Sequence, residues 1–294
     1  MTPAEREHIA KLIELAKAED LGPGDVTTRL MERPDGPATF RVIARQPGVF
    51  AGCEIAPMVL AAYDASLTID WTDLGADGAG LDGAASELAV VRGPLGAMLS
   101  AERVLLNFLQ RLCGVATLTR RFVQAVEGTR AKVYDTRKTT PGWRALEKYA
   151  VRCGGGRNHR QGLFDAVLIK DNHLAGVETR RLAGAVFEML NRLNMTTDRP
   201  VFIEVEADSL GQVDELLKIV DLNAILLDNF SIDDLRRAVE LRDDHGLRGK
   251  VALEASGGIT PGTIRAVAET GVERISAGAM THSATALDLS MERV

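Results

Sequence analysis

The stretch "VFIEVEADSLGQVDELLKIVDLNAILLDNFSIDDLRRAVELRDDH" (201–245) alternates short apolar runs with longer helical patterns. The apolar runs are 201–206 and 224–229, and helical spacing covers 209–220 and 231–245. Short strands that alternate with longer helices predict βαβ units, and such units build a parallel sheet. This stretch therefore indicates an α/β fold.

The same alternation extends over the rest of the chain's second half. Helical patterns also cover 174–194 and 261–270, and four more apolar runs fit buried strands. These runs are "AKVYDT" (131–136), "DAVLIKD" (165–171), "VALEAS" (251–256) and "ERISAG" (273–278). Six strands in βαβ order predict a parallel sheet of the α/β-barrel type. A further irregular strand would escape a pattern of this kind.

The first part of the chain lacks this alternation. Residues 38–52 have a strand-and-turn pattern, 54–65 have a helical pattern, and short strand patterns follow at 66–71 and 86–92. Strands and helices without a βαβ repeat indicate an α+β domain. We therefore predict a mixed α+β N-terminal domain over residues 1–115 and an α/β-barrel domain over residues 116–294.

Composition excludes several functional classes. The 294 residues are 46% hydrophobic, and a formal net charge of -6 argues against general nucleic-acid binding. No apolar stretch reaches the roughly 18 residues that a membrane helix needs. Charges interrupt the N-terminal segment, which fits a helix capped by Thr2 and Glu5 better than a signal peptide. Three scattered cysteines fit neither a disulfide framework nor a zinc site, so we expect a cytoplasmic protein.

Polar and charged residues stand at the end of nearly every predicted strand. They are Asp135 and Arg137, Lys170, Glu204 and Glu206, Asp228, Ser256, and Ser276 with Gly278. A strand that is buried on both faces should be apolar, and the strand ends of a barrel converge on one mouth, where active sites lie. Solvated loop residues are the alternative, but their recurrence at the same end of the strands favours a functional site.

An acidic protein concentrates cations between residues 137 and 160, where seven Arg or Lys accompany a single acid, Glu147. Arginine presents a planar fork to a carboxylate or phosphate, and lysine presents a point charge. A solvated helix face would explain Arg144, Lys148 and Arg152, which are spaced four residues apart. It fits the pairs Arg137-Lys138 and His159-Arg160 less well, because both flank predicted elements, and Lys170 stands at the end of a predicted strand. We therefore predict that these five residues bind an acidic ligand.

Two other groups complete the candidate site. Glu204 and Asp228 follow predicted strands, and their carboxylates would either hold Mg²⁺ together with phosphates and waters or pair with Lys170 and Arg137. The spacing does not decide between these two roles. The turns "ASGGITPG" (255–262) and "SAGAMTHS" (276–283) would expose backbone N–H groups at helix N-termini, which is a common way to bind phosphate.

The segment "DTRKTTPGWRALEKYAVRCGGGRNHRQGLFDAVLIKDNH" (135–173) resembles the central signature of the quinolinate phosphoribosyltransferase family, also called nicotinate-nucleotide pyrophosphorylases (carboxylating). The resemblance runs through almost the whole chain. It includes "SAERVLLNFLQRLCGVATLT" (100–119), "IEVEADSL" (203–210), "LEASGGI" (253–259) and "ISAGAMTHSA" (275–284). Trp143 is a mild departure, because the family pattern has Leu at this position.

The resemblance implies a reaction and an assembly. Quinolinate and phosphoribosyl pyrophosphate (PRPP) would give nicotinate mononucleotide, pyrophosphate and CO₂, with Mg²⁺, in NAD biosynthesis. The implied fold is an incomplete α/β barrel that follows a mixed α+β domain. The implied assembly is a homodimer in which each N-terminal domain covers the partner's barrel, so that Arg103 enters the neighbouring site.

The resemblance also implies roles for individual residues. Substrate binding is implied for Arg103, Thr136, Arg137, Lys138, His159, Arg160 and Lys170. Catalysis is implied for Lys138, Lys170, Glu204 and Asp228, of which Glu204 and Asp228 would also hold the metal. Phosphate binding is implied for Ser256, Gly257, Gly258 and Gly278.

Two other functions fit part of the sequence. A related phosphoribosyltransferase-like protein of molybdenum-transport operons would share the fold and act on a different substrate, and the complete set of cations favours quinolinate over it. A non-catalytic sensor of phosphorylated ligands would need the glycine turns but not both Glu204 and Asp228. We therefore predict a pentosyltransferase, with no nucleic-acid or membrane partner.

Overall fold

A computed structural model describes residues 1–83, 85–197 and 200–294. The chain divides into two compact units. The first unit contains residues 1–120, 139–156 and 280–294, and the second unit contains residues 121–138 and 157–279. We predicted a single boundary, after residue 115, whereas the first compact unit also contains the segments 139–156 and 280–294.

Helices and strands alternate along most of the described chain. Its α-helices are α1 (Pro3–Leu21), α2 (Ala56–Tyr63), α3 (Leu95–Ala125), α4 (Arg144–Cys153), α5 (Leu182–Asn194), α6 (Leu210–Leu216), α7 (Ile232–Asp244), α8 (Ile264–Ala268) and α9 (Ala279–His282). Its strands are β1 (Pro37–Ala44), β2 (Pro47–Val49), β3 (Thr68–Trp71), β4 (Gly80–Asp82), β5 (Ser86–Pro94), β6 (Lys132–Tyr134), β7 (Val167–Ile169), β8 (Ile203–Ala207), β9 (Ala224–Asp228), β10 (Ala252–Ser256), β11 (Arg274–Ser276) and β12 (Leu289–Arg293). None of the helices within these described residues combines the length and the apolar character that a bilayer span requires.

A four-stranded antiparallel sheet with the order β12-β1-β5-β3 lies in the first unit. β1 is one of its two central strands, and Phe40 is paired with Val91 of β5 on one side and with Arg293 of β12 on the other. Phe40, Val42 and Val91 are buried, as expected for a sheet with one face on a core. Backbone pairing with β1 therefore explains why the segment 280–294 belongs to this unit.

A buried ion pair explains why residues 139–156 also belong to the first unit. Glu147 of α4 is fully buried, and its Oε1 accepts a hydrogen bond from Arg111 of α3 at 2.6 Å. The same carboxylate accepts the backbone N–H of Thr140 at 3.1 Å and its hydroxyl at 2.9 Å. Removing one partner of such a pair leaves a buried charge uncompensated, so this contact fixes α4 to α3.

A six-stranded parallel sheet with the order β6-β11-β10-β9-β8-β7 lies in the second unit. Helices α5 to α8 connect β7 through β11, one between each successive pair of strands. The middle of β9 is apolar and buried, with Ile225 and Leu227 fully inaccessible, as expected for a strand covered on both faces. The edge strands β6 and β7 do not pair with each other in the described residues, so the barrel is open. The predicted incomplete α/β barrel of parallel strands is confirmed.

A single extra residue extends this sheet beyond β6. Arg157 forms a parallel bridge with Tyr134. Its N–H donates to the carbonyl of Val133 at 2.8 Å, and its carbonyl accepts from the N–H of Asp135 at 3.0 Å. No apolar run marks this position in the sequence, because only one residue takes part in the pairing.

Candidate active site

The register of the parallel strands decides which side chains share one face of the sheet. Glu204 of β8 is paired with Ala224 of β9, and Glu206 is paired with Leu226. Side chains alternate along a strand, so Glu204, Glu206 and Asp228 all project from the same face. The distance along the strands between the levels of Glu204 and Asp228 is about 13 Å, since four residues at roughly 3.3 Å each separate them.

Glu204 is the second residue of β8, and its predicted position at the end of a strand is wrong, because the strand continues to Ala207. The side chain is fully buried, and its Oε2 accepts a hydrogen bond from His159 Nε2 at 2.8 Å. Mg²⁺ usually keeps several of its bound waters, so it needs a carboxylate that is accessible to solvent. The predicted metal pair of Glu204 and Asp228 therefore does not fit this geometry.

Glu206 stands where Glu204 was expected, close to the carboxyl end of β8. Its Oε2 accepts a hydrogen bond from Lys170 Nζ at 2.5 Å. Lys170 follows β7 directly, so the structure brings this predicted site residue to a carboxylate. Glu206 was named as a strand-end residue, but the site role was predicted for Glu204 alone, although "IEVE" places both glutamates on one face of a strand.

Two arginines of the predicted ligand site lie close enough to repel each other. Arg160 is only 8% exposed. Burial and the positive charge of Arg137 lower the pKa of the Arg160 guanidinium, and the negative charges of Asp165 and Glu204 oppose this effect. Arg137 itself is exposed. Like charges that are held together in a protein favour a ligand that brings negative charge.

Thr136 and Lys138 flank Arg137 in the bend that follows β6. Thr136 Oγ1 accepts the backbone N–H of Lys138 at 3.0 Å. This local bond is typical of threonine in turns, and it bends the chain as it leaves β6. The Lys138 side chain is exposed.

His159 is buried, and both of its ring nitrogens bond within the protein. Nδ1 accepts the backbone N–H of Arg160 at 2.8 Å, so the ring proton is on Nε2, which donates to Glu204. The carboxylate of Glu254 lies 3.4 Å from the same Nε2. These three side chains are close enough to hold a metal ion. A metal would need a lone pair on Nε2, and the bond at Nδ1 leaves a proton there instead.

A buried ionic cluster of Glu204, Glu254 and Arg274 lies next to His159. Arg274 Nε donates to Glu254 Oε2 at 2.5 Å, and its guanidinium carbon lies 3.9 Å from the centre of the Tyr134 ring. Burial raises the pKa of Glu204 to about 7, although the charges of Arg274 and Arg160 oppose the effect. Burial and the nearby charge of Glu204 also raise the pKa of Glu254. The cluster therefore holds the His159 ring through the two carboxylates next to its Nε2.

The glycine turn after β10 leaves no room for a side chain at its first glycine. Gly257 has a φ of 103°, and a Cβ at this position would lie 2.1 Å from Asn229 Oδ1. Gly258 has a φ of 57° and faces open space. Ser256 is paired with Asp228, so this turn and the acid at the end of β9 lie side by side. Successive left-handed glycines point backbone N–H groups toward a common centre, which suits an anion.

The remaining predicted residues lie elsewhere along the chain. Gly278 directly precedes the short helix α9, whose length is four residues. Arg103 is exposed on α3, within the first unit. The helix after the glycine turn, α8, begins at Ile264 rather than at the predicted residue 261, because Thr260 and Thr263 first form a turn.

Comparison with known protein families shows which family has this sequence and fold. The model described as "Quinolinate phosphoribosyl transferase, C-terminal domain" matches residues 115–292, and the model of the N-terminal domain matches residues 25–113. The chain belongs to the quinolinate phosphoribosyltransferase family. The family predicted from the central motif is therefore confirmed.

Relatives of the quinolinate phosphoribosyltransferase family match along nearly the whole chain. The nicotinate-nucleotide pyrophosphorylase (carboxylating) of Mycobacterium leprae is 40% identical over 284 residues, which cover 95% of this chain and 95% of the relative. A probable nicotinate-nucleotide pyrophosphorylase (carboxylating) of Bacillus subtilis is 37% identical, with coverage of 97% and 93%. The solved structure of the nicotinate-nucleotide pyrophosphorylase from Francisella tularensis superposes with a TM-score of 0.87 at 37% identity, covering 100% of this chain and 98% of that one.

Proposed function

We propose that this member of the quinolinate phosphoribosyltransferase family transfers the phosphoribosyl group of PRPP to quinolinate, with decarboxylation. The products are nicotinate mononucleotide, pyrophosphate and CO₂, as required for NAD biosynthesis. The observation that carries this proposal is the buried Arg160 beside Arg137: burial, and then the charge of Arg137, lower the pKa of the Arg160 guanidinium. Quinolinate brings two neighbouring carboxylates, and each can accept a forked hydrogen bond from a guanidinium group.

Binding at the cations aligns the quinolinate nitrogen with the ribose. Arg137 and Arg160 hold the two carboxylates in this proposal, and Thr136, Lys138 and Lys170 complete the site. His159 acts through the backbone of Arg160, because its ring already bonds to that N–H and to Glu204. Fixing the nitrogen opposite the leaving pyrophosphate removes much of the entropic barrier of a reaction between two molecules.

The carboxylates of β8 and β9 lie where positive charge develops. The bond between the ribose carbon and pyrophosphate breaks, and the lone pair of the quinolinate nitrogen forms the new bond to that carbon. Glu206 and Asp228 stabilise the positive ribose in between. Glu206 takes the role that the sequence suggested for Glu204, since Glu206 lies closer to the strand end and beside Lys170.

Decarboxylation follows on the bound nucleotide. The bond between C2 and the departing carboxylate breaks and leaves its electron pair on C2, where the positive charge of the neighbouring ribosylated nitrogen stabilises it. C2 then takes up a proton. No covalent bond to a lysine is needed, so Lys138 and Lys170 act by charge.

The site also suits Mg²⁺. Asp228 is only partly buried and stands at the end of β9, and its Oδ2 accepts a hydrogen bond from the Asn229 side chain. A carboxylate of this kind holds Mg²⁺ together with waters and substrate phosphates. The ion would neutralise charge on the departing pyrophosphate. Ser256, Gly257, Gly258 and Gly278 would bind the phosphate groups through backbone N–H groups.

Assembly and location complete the proposal. A homodimer would allow the exposed Arg103 of each chain to reach the site of its partner. Cys53, Cys113 and Cys153 are free thiols, which suits the reducing cytoplasm.

One assay tests the proposed function. The protein is incubated with quinolinate, PRPP and Mg²⁺, and nicotinate mononucleotide and CO₂ are measured together. Equal amounts of the two products are expected, and replacing quinolinate by nicotinate serves as the control. Absence of the nucleotide would favour the phosphoribosyltransferase-like protein with a different substrate.

A further inference from the structure

Asp135 is a fully buried carboxylate that directly follows β6. Its Oδ1 accepts the backbone N–H of His159 at 2.8 Å, and its Oδ2 accepts from Asn158 Nδ2 at 2.6 Å. A buried carboxylate is costly unless it is well hydrogen-bonded, so its position between these donors is specific. Asp135 thereby fixes the segment that carries His159 and Arg160.

The backbone of this segment is held by side chains rather than by a helix or a long ladder. The N–H of His159 bonds to Asp135, and the N–H of Arg160 bonds to the ring of His159. One backbone pairing, between Arg157 and β6, precedes these two bonds. Both amides therefore depend on side chains, and Asp135 supplies the acceptor of the first of these two bonds.

The charges of Arg137 and Arg160 explain why a rigid backbone matters in this segment. The charge of Arg137 repels Arg160, whose guanidinium is buried. Burial and this repulsion both disfavour the charged guanidinium of Arg160, although the charges of Asp165 and Glu204 oppose them. A rigid backbone keeps both guanidinium groups in place and lowers the cost of ordering them when an anion arrives.

We infer that Asp135 is a positioning residue that holds Asn158, His159 and Arg160 in the geometry needed to bind the carboxylates of quinolinate. The inference rests on the proposed function. It concerns the quinolinate site alone and leaves PRPP binding to other residues.

The variant Asp135→Asn keeps the size of the side chain and one acceptor oxygen. The amide keeps one oxygen for the N–H of His159, but it puts an NH₂ group in place of the charged acceptor of Asn158, so Asn158 must turn its own amide or face a second donor. We expect KM for quinolinate to rise by about tenfold or more, and KM for PRPP to change by less than about twofold. An equal rise in both KM values would overturn the inference, because it indicates general damage to the fold.

A double-mutant cycle shows whether Asp135 acts through Arg160. If it does, adding Asp135→Asn to Arg160→Ala raises KM for quinolinate by less than about twofold. Full additivity of the two effects would contradict the inference. Asp77→Asn is the matched control: like Asp135, this carboxylate of the first unit accepts hydrogen bonds from a loop backbone, from the N–H groups of Gly52 at 2.8 Å and Cys53 at 3.0 Å. It should leave the ratio of the two KM values unchanged.

Amide hydrogen exchange separates this inference from the proposed function. Asp135→Asn should accelerate exchange at His159 and Arg160 by about tenfold or more, whether or not the protein forms nicotinate mononucleotide. Unchanged exchange would overturn the inference even in an active enzyme. If Asp135→Asn does not fold, Asn158→Ala tests the same contact, because it removes one donor and keeps the carboxylate. A rise of about threefold in KM for quinolinate is then expected, and no change would reject the inference.

Discussion

Lys170 Nζ lies 2.5 Å from Glu206 Oε2, next to the carboxyl ends of two neighbouring parallel strands. The lysine side chain is 45% exposed, so solvent screens much of the attraction between the two charges. Partly exposed ion pairs contribute about 0–1 kcal/mol to stability. The pair therefore matters less for folding than for presenting a cation and an anion together to a ligand.

Glu206→Gln should impair turnover more than stability. The amide keeps the size of the side chain but removes the negative charge beside the ribose. We expect kcat to fall at least about tenfold, with a change of no more than about 1 kcal/mol in the free energy of unfolding. Steady-state kinetics at several Mg²⁺ concentrations and chemical denaturation provide the two measurements.

The matched control is Glu204→Gln, on the same face of the same strand. Because Glu204 is buried against His159, the Mg²⁺ concentration for half-maximal activity should stay at the wild-type value. Asp228→Asn, in contrast, should raise it. A shift with Glu204→Gln and none with Glu206→Gln would return the metal-binding role to Glu204.

The buried carboxyl of Glu204 should make stability depend on pH. Burial raises its pKa from 4.5 to about 7, so the folded protein binds the proton more tightly than the unfolded chain does. Its contribution to stability is therefore complete below pH 4.5 and is lost as the pH rises through 7. Between about pH 5.5 and 7.5, the melting temperature should fall more steeply in the wild type than in Glu204→Gln. Thermal unfolding of both proteins at several pH values in this range provides the comparison. Parallel curves would show that Glu204 does not titrate there.

Arg160→Ala should remove the preference for quinolinate over nicotinate. The wild type should bind quinolinate at least about tenfold more tightly, since nicotinate would leave one buried cation without its partner. Equilibrium binding of both ligands to both proteins gives the four constants. Arg157→Ala is the control, because Arg157 lies in the same segment but is exposed. Equal discrimination by Arg160→Ala and the wild type would mean that Arg160 does not contact the second carboxylate.

Mixing two inactive variants should restore activity if Arg103 serves the partner's site. Arg103→Ala and Lys170→Ala damage different halves of a shared site, so half of the sites in a mixed dimer would be intact in both respects. Up to about a quarter of the wild-type activity is expected after subunit exchange at equal concentrations. Each variant exchanged with itself is the control. No recovery, with exchange confirmed by labelled chains, would place each site within a single chain.

The two glycines after β10 should respond differently to alanine. Gly257→Ala places a Cβ 2.1 Å from Asn229 Oδ1 at a φ of 103°, so Asn229 must move and the turn must change. Gly258→Ala meets open space and costs only about 1–2 kcal/mol for its left-handed backbone. We expect KM for PRPP to rise about tenfold or more in the first variant and less than about threefold in the second. Equal effects would show that this turn does not bind phosphate through its shape.

The fold was predictable because its signal is periodic. Alternating apolar runs and helical patterns from residue 131 onward identify six parallel strands, and all six are present in the sheet. The N-terminal cap of α1 was equally readable, since Thr2 and Glu5 form both hydrogen bonds of a capping box. Features of this kind depend on neighbours in sequence, and local preferences decide them.

The candidate site was harder to predict because strand ends are uncertain by about two residues or more. An error of two residues is enough to exchange Glu204 for Glu206, because both lie on the same face of β8. Only the pairing across strands distinguishes them: His159 lies against the first and Lys170 against the second. The contact of Asp135 with His159 joins residues 24 positions apart, and no pattern of composition marks it.

The pairing of β1 with β12 has a consequence for the order of folding. Phe40 and Arg293 are partners across this ladder, so the ribosome must complete the whole parallel sheet before the antiparallel sheet can acquire its edge strand. Until then β1 exposes a row of free backbone donors and acceptors, which is a template for pairing with another nascent chain. Slow translation between the two strands therefore prolongs the period in which β1 is open to pairing with another chain.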